Sequence, residues 1–211
     1  MKVLEKTERR LGEKLFLKGE RCLGAKCAAV RRPYPPGVHG KGKKRGGRGG
    51  GSEFGIQLKE KQKVRVGYGL RERMLERYFH EALRDKKHPT GEALINLLER
   101  RLDNILFRAG FTVSRSIARH LVGHGHVLVN KRPVNRPSYS VRGGDIIEFV
   151  PKILGNEQLA GELPYRLKKI QPPDWLKIDV EKKTIEILRE PYEAGLEINP
   201  NITLVVEYYS R

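Results

Sequence analysis

Arg115 and Arg119 lie four residues apart, a spacing that on a helix sets two guanidinium groups on one row. Guanidinium forks of this kind grip phosphate oxygens through parallel N–H donors. Ile117, Ala118, Leu121 and Val122 supply the apolar face of the same helix, which predicts that both arginines point outward. Around them stand further donors: Arg101, Arg108 and Ser114 before, His120, His124 and His126 within and after, Lys131 and Arg132 beyond. The set suits phosphates and 2′-hydroxyls. Imidazoles at i and i+4 can also chelate a metal, but no carboxylate is placed to complete such a site and Gly125 interrupts the helix, so the histidines are read as RNA donors.

These residues need a scaffold, and the chain spells one out. Leu102, Ile105 and Leu106 predict a helix over 101–109 that Gly110 stops, and Ser114 can cap a second helix running to Val122, ended by Gly123. His126 to Val129 reads as a strand, Asn130-Lys131 as a turn, and Arg132-Pro133-Val134 as the return. A second turn, Arg142-Gly143-Gly144-Asp145, feeds the apolar strand Ile146 to Phe149.

Upstream, Ser52 is a helix cap, followed by Phe54, Ile56 and Leu58 and a basic run of Lys59, Lys61, Lys63 and Arg65, of which the three lysines are candidate RNA contacts, broken by Gly67 and Gly69. Met74, Leu75, Tyr78, Phe79, Ala82 and Leu83 make a core stripe on a helix starting near Leu70, and Pro89-Thr90-Gly91 restarts a helix carrying Leu94, Leu97 and Leu98. Downstream, alternating apolar residues predict strands over Trp175 to Val180, Thr184 to Leu188 and Leu204 to Tyr208, which should complete an antiparallel sheet. Glu162 to Lys169 is an irregular or weakly helical crossing, and Trp175 a core anchor. The fold class is α+β: a basic extended N-terminal arm (1–51), a helical domain (52–97), and a mixed domain (98–211) with small helices packed on an antiparallel sheet, its RNA-binding core at 101–150.

Charge points the same way. The chain holds 43 Lys+Arg against 25 Asp+Glu, a formal net charge of +18, and the excess is +11 in residues 1–51, +8 in 52–150 and −1 in 151–211. A polyanion is the partner such a field attracts. No apolar run near the length of a membrane span and no signal-peptide pattern is present, so a soluble cytoplasmic protein without membrane contact is expected. In the arm, three prolines hold Arg31, Arg32 and Tyr34 on an extended ribbon suited to tracking a phosphate backbone. The stretch from Gly40 to Gly51, with Lys41, Lys43, Lys44, Arg45 and Arg48, cannot offset its ordering entropy by burial and is expected to be disordered until RNA neutralises it. Enzyme signatures are missing: there is no Ser/His/Asp set, no phosphate-binding Gly-x-x-x-x-Gly-Lys-Ser/Thr loop and no His-Glu-x-x-His. No cofactor is called for.

The motifs Arg-Leu-Asp-Asn (101–104), Arg108-Ala-Gly-Phe111, Ser114-Arg115, Ala118-Arg119, His124-Gly125-His126-Val127, Val129-Asn130 and Arg142-Gly-Gly-Asp145 resemble the RNA-binding module first recognised in the fourth small-subunit ribosomal protein. The same module is appended to pseudouridine synthases, tyrosyl-tRNA synthetases and a ribosome-binding heat-shock protein. The flanks Lys18-Gly-Glu-Arg-Cys22, Arg31-Arg-Pro-Tyr-Pro-Pro-Gly37, Leu58-Lys-Glu-Lys-Gln-Lys63 and Glu207-Tyr-Tyr-Ser-Arg211 are similar to the bacterial form of that ribosomal protein family. The resemblance implies a structural, non-enzymatic component of the small ribosomal subunit in the cytoplasm. It also implies primary binding of small-subunit ribosomal RNA at a multi-helix junction of the 5′ domain, and nucleation of assembly. Further implied are neighbouring third and fifth small-subunit proteins, messenger RNA at the channel by which it enters, and a contribution to translational accuracy with the fifth protein. Arg101-Leu102-Asp103 also resembles a catalytic motif of one pseudouridine synthase class, but the helix continuing through Asn104 to Phe107 is the wrong context, and Asp103 reads as helix surface or as the partner of a nearby arginine. Some bacterial members bind zinc through four cysteines, of which only Cys22 and Cys27 are present here, a half-site at most. Alignment puts Glu5 and Glu8 where the other two would sit, which leaves a mixed carboxylate and thiolate site as the alternative to loss of the metal.

Overall fold

The structure is a computed structural model that describes residues 4–41, 52–151, 171–192 and 200–211. The expectations for Lys43, Lys44, Arg45 and Arg48 and for the crossing Glu162 to Lys169 fall outside the described residues. Helices α1 (Leu4–Leu11), α2 (Glu20–Leu23) and α3 (Ala28–Arg31) lead through a 3-10 turn (Val38–Lys41) to α4 (Glu53–Gly67), α5 (Glu72–Ala82) and α6 (Thr90–Glu99). Then come α7 (Leu102–Arg108), α8 (Arg115–Gly123), strands β1 (Val127–Val129), β2 (Arg132–Pro133), β3 (Ile146–Phe149), β4 (Leu176–Asp179) and β5 (Thr184–Ile187), and α9 (Ile202–Tyr209). Packing groups them into two units, Met1–His80 with Leu196–Arg211, and Glu81–Gly195. That division differs from the expected boundaries: residues 81–97 fall with the module, and the C-terminal segment falls with the first unit.

In the second unit, α7 and α8 lie on a five-stranded sheet of order β2-β1-β3-β5-β4, every neighbouring pair antiparallel. Leu102, Ile105 and Leu106 of α7 and Ala118, Leu121 and Val122 of α8 meet Val127, Val129, Ile147, Phe149, Ile185 and Ile187 from the strands. Phe111 stacks on Phe149 at 5.1 Å between ring centroids, and Trp175 is buried in the same core. Local signals close both helices. Gly110, at φ 78°, lets Phe111 N–H return to the Leu106 carbonyl. The stop of α8 lies further on than Gly123: Gly125, at φ 72°, performs it, with His126 N–H bonded to the Leu121 carbonyl.

The first unit corrects two expectations. Residues 4–41 do not form one extended arm; they carry α1 to α3, and the proline segment Arg32–Gly37 is not a straight ribbon but bends at Tyr34, Pro36 and Gly37. Gly40 packs so closely on this segment that a Cβ there would sit 1.8 Å from the Pro35 carbonyl oxygen. The expected strand Leu204 to Tyr208 is instead part of helix α9. Its four β-branched residues, Ile202, Thr203, Val205 and Val206, cost roughly 2 kcal/mol relative to alanine in a helix. Packing overrides that cost. The Asn201 side chain caps the helix by accepting from Leu204 N–H, Val205 is fully buried, and Tyr209 stacks on Phe79 at 4.9 Å. A cap is worth about 1 kcal/mol, and each large apolar side chain buried contributes about 1.5–3 kcal/mol.

Candidate nucleic-acid interface

Asp103 sits at the start of α7 with its carboxylate almost wholly buried, 2% exposed. Arg101 donates to it from Nε (3.1 Å, to Oδ1) and Nη2 (2.8 Å, to Oδ2), and Arg119 from Nε (3.1 Å) and Nη2 (2.7 Å), both to Oδ2. Of the sequence alternatives for Asp103, the arginine pairing is therefore what the structure shows, and the helix-surface placement is not. At the next residue, Asn104 accepts from Arg115 Nε (2.8 Å) and donates to the Glu99 carboxylate (3.0 Å), while Arg108 pairs with Glu99 at 3.2 Å. Arg115 is thus tied to α7, Arg101 to the carboxylate that Arg119 of α8 shares, and Arg108 to Glu99 at the end of α6. The expected outward pair is half right: Arg119 is 38% exposed at its side chain, whereas Arg115 is buried with its guanidinium 4.4 Å from the centre of the Phe107 ring. Ile117, expected inward, is exposed instead, because the buried stripe runs through Arg115, Ala118 and Val122. Ser114 does cap α8, its hydroxyl accepting from Ile117 N–H, and it is buried.

The hairpin presents exposed cations. Asn130 and Lys131 both hold left-handed backbone, φ 50° and 65°, the geometry of a tight two-residue turn. The Asn130 side chain clamps the turn to its neighbour, donating to Asp145 (2.7 Å) and accepting from Ile146 N–H (2.9 Å), while Asp145 accepts from Arg142 N–H (2.8 Å). Lys131 and Arg132 are exposed on this fixed tip. So are Arg136 and Arg142, which the sequence reading passed over as candidate contacts although each is a basic residue in a polar turn or loop.

His120, His124 and His126 form a row with ring centroids 6.3 and 6.0 Å apart. The β1–β3 register puts His126 at the opposite end of β1 from Lys131, so the module's cations do not converge on one point. Among the described residues no group of three or more His, Cys, Asp or Glu is arranged to hold a metal.

In the first unit, Arg31, Arg32 and Lys59 are exposed. Tyr34 is half-buried, with the Arg9 guanidinium 4.9 Å over its ring and Arg9 Nε bonded to the Arg32 and Tyr34 carbonyls. Lys61 and Lys63 are not on a basic face: both are buried. Lys61 reaches Glu72 at 2.5 Å and the Tyr208 ring at 4.5 Å; Lys63 pairs with Glu60 at 2.6 Å and with Glu13. Burial works against the Lys63 charge, yet the two carboxylates outweigh it and hold the ammonium above the usual lysine value. Burial likewise opposes ionisation of Glu72, but donation from Lys61 and Tyr209 keeps its carboxyl below the usual range. Cys22 and Cys27 are free and buried. Burial pushes the Cys22 thiol up, against the Lys18 N–H, and nearby Glu8 and Cys27 add to the rise. Glu8 is committed to the Leu15 and Leu17 N–H groups at 3.0 and 3.2 Å, and Glu5 to Arg21 at 3.1 Å.

The described residues thus form a helical N-terminal part followed by paired short helices on an antiparallel sheet, with a guanidinium cluster and a basic hairpin, an α+β class of fold. Residues 4–99 match the profile described as "Ribosomal protein S4/S9 N-terminal domain", and residues 100–147 match the "S4 domain" profile. The chain is 47% identical to the small ribosomal subunit protein uS4 of Syntrophomonas wolfei over 96% of this chain and 94% of that protein. It is 48% identical to uS4 of Thermus thermophilus and 43% to that of Kosmotoga olearia, with the same coverage. The chain belongs to the uS4 family. No helix among the described residues is long and apolar enough to cross a membrane.

Proposed function

We propose that the protein is a structural constituent of the small ribosomal subunit and a primary binder of small-subunit ribosomal RNA. It acts without catalysis. A folded junction in the 5′ domain of the RNA is held by rigid surfaces of the module, and this early contact nucleates assembly. In the finished subunit it neighbours the third and fifth small-subunit proteins beside the channel by which messenger RNA enters, and with the fifth it contributes to translational accuracy. Its working compartment is the cytoplasm.

The observation that carries the reading is the hairpin tip: Lys131 and Arg132 are exposed on a turn locked by the Asn130–Asp145 clamp, and Arg119 adds a half-exposed guanidinium held at its root by Asp103. A cation on a locked turn loses little freedom when it meets a phosphate. The names of the relatives support the partner. Residues 41–48 add basic side chains to the same polyanion-seeking charge. If the whole contact neutralises about ten phosphates, affinity should fall by roughly three to five decades from 50 to 200 mM salt.

Sedimentation of cell extract on a sucrose gradient tests this. The protein should run stoichiometrically with the small subunit and stay there through a high-salt wash. Substoichiometric or free protein would instead identify an RNA-binding factor or a subunit of a modifying enzyme that shares the module.

A further inference from the structure

We infer that Asp103 is a positioning residue for RNA binding: an acidic side chain, inside a protein that binds a polyanion, that strengthens the binding by fixing the guanidinium of Arg119. The inference rests on the RNA-binding reading. Asp103 Oδ2 takes two donors of Arg119, Nε at 3.1 Å and Nη2 at 2.7 Å. Holding Nε, the root of the group, together with one terminal nitrogen sets both the plane and the direction of the fork. The carboxylate is 2% exposed and the arginine 38%, so the anchor is inside and the anchored group reaches solvent. Arg101, 4% exposed, grips the same carboxylate through two nitrogens and compensates its charge from within. The anchor itself is fixed: Asp103 is on the first turn of α7, and its N–H is bonded to the Pro137 carbonyl at 3.1 Å. An unheld arginine carries about 2 kcal/mol of rotamer entropy, part of which this arrangement removes before the phosphate arrives.

Simple electrostatics and positioning predict opposite signs. Asp103→Asn deletes a negative charge, and by Coulomb attraction alone it should tighten binding to RNA. Positioning predicts the reverse. The wild type, Asp103→Asn, Arg119→Ala and the double variant would be titrated, at a series of salt concentrations, against a transcript of the 5′ domain of small-subunit ribosomal RNA, with thermal unfolding measured on each. Asp103→Asn should weaken binding roughly tenfold and lower the slope of log affinity against log salt by about one, the loss of a single phosphate contact. In the Arg119→Ala background the same change should have no further effect on binding. Binding by Asp103→Asn as tight as wild type or tighter, or a loss that adds in full to that of Arg119→Ala, would overturn the inference while leaving RNA binding intact. Wild-type protein that ignores the transcript would overturn both. Should Asp103→Asn fail to fold, Arg119→Lys serves: it keeps the charge but cannot make the two-donor grip, so it should bind like Arg119→Ala, and wild-type binding by it would refute positioning.

Discussion

Lys61 and Lys63 on α4 and Lys131 and Arg132 on the β1–β2 hairpin are the same kinds of residue in the same kind of basic run, yet they meet opposite fates. The first pair is buried and neutralised by Glu72, Glu13 and Glu60; the second stands exposed on a locked turn. A run of cations is therefore not a binding face in itself. What separates the two is whether carboxylates from elsewhere in the chain reach them first.

The largest effect that tests this contrast should come from Lys63→Met, which strands Glu60 beside an apolar side chain. Stability should fall by about 3 kcal/mol, read by urea unfolding, with RNA affinity of the folded protein unchanged. Changing Lys131 and Arg132 together to Ala should do the converse: roughly tenfold weaker binding and a salt slope lower by about 1.5, with stability within about 0.5 kcal/mol of wild type. If the α4 variant lost the salt dependence and the hairpin variant kept it, the contrast would be wrong. A smaller effect is expected at the cap of α9, where Asn201→Ala should cost about 1 kcal/mol of thermal stability and nothing in RNA binding.

Smallest is the pH dependence of the first unit. The Glu72 carboxyl is held below its usual value in the folded state, so its contribution is present above the unfolded value and is lost as the pH falls through the folded one. Glu72→Gln should flatten the acid limb of the stability curve. For Lys63, held above its usual value, the contribution disappears instead as the pH rises through the folded value, on the alkaline limb.

Much of the fold was legible because its signals are local. Ser52 and Ser114 cap α4 and α8 as expected, Gly110 ends α7, and Asn130-Lys131 turns the hairpin. The misreadings share a physical cause, which is partners distant in sequence. The run from Leu204 to Tyr208 has strand composition, and only the surfaces of α4 and α5 make a helix of it; Gln57 and Glu207, hydrogen-bonded across that contact, are 150 residues apart. Arg115 obeys the helical row that predicted it, but Asn104 and the Phe107 ring draw it inward. Of the candidate site, the hairpin cations and Arg119 were readable as exposed donors, and an arginine pairing was one of two readings for Asp103. Glu99, the other carboxylate of the guanidinium cluster, was not read, because an acidic residue in a basic module gives no sign of whether it repels a ligand or braces the groups that bind one.

The return of α9 to α4 has a consequence for the order in which the protein is made. The module between them is complete in the nascent chain while the unit begun by α1 still lacks a wall, with Phe54 and Phe79 waiting for Tyr208 and Tyr209. Synthesis thus completes the sequence of the second unit before it supplies the last helix of the first, so the unit that starts first is the last to receive its final element.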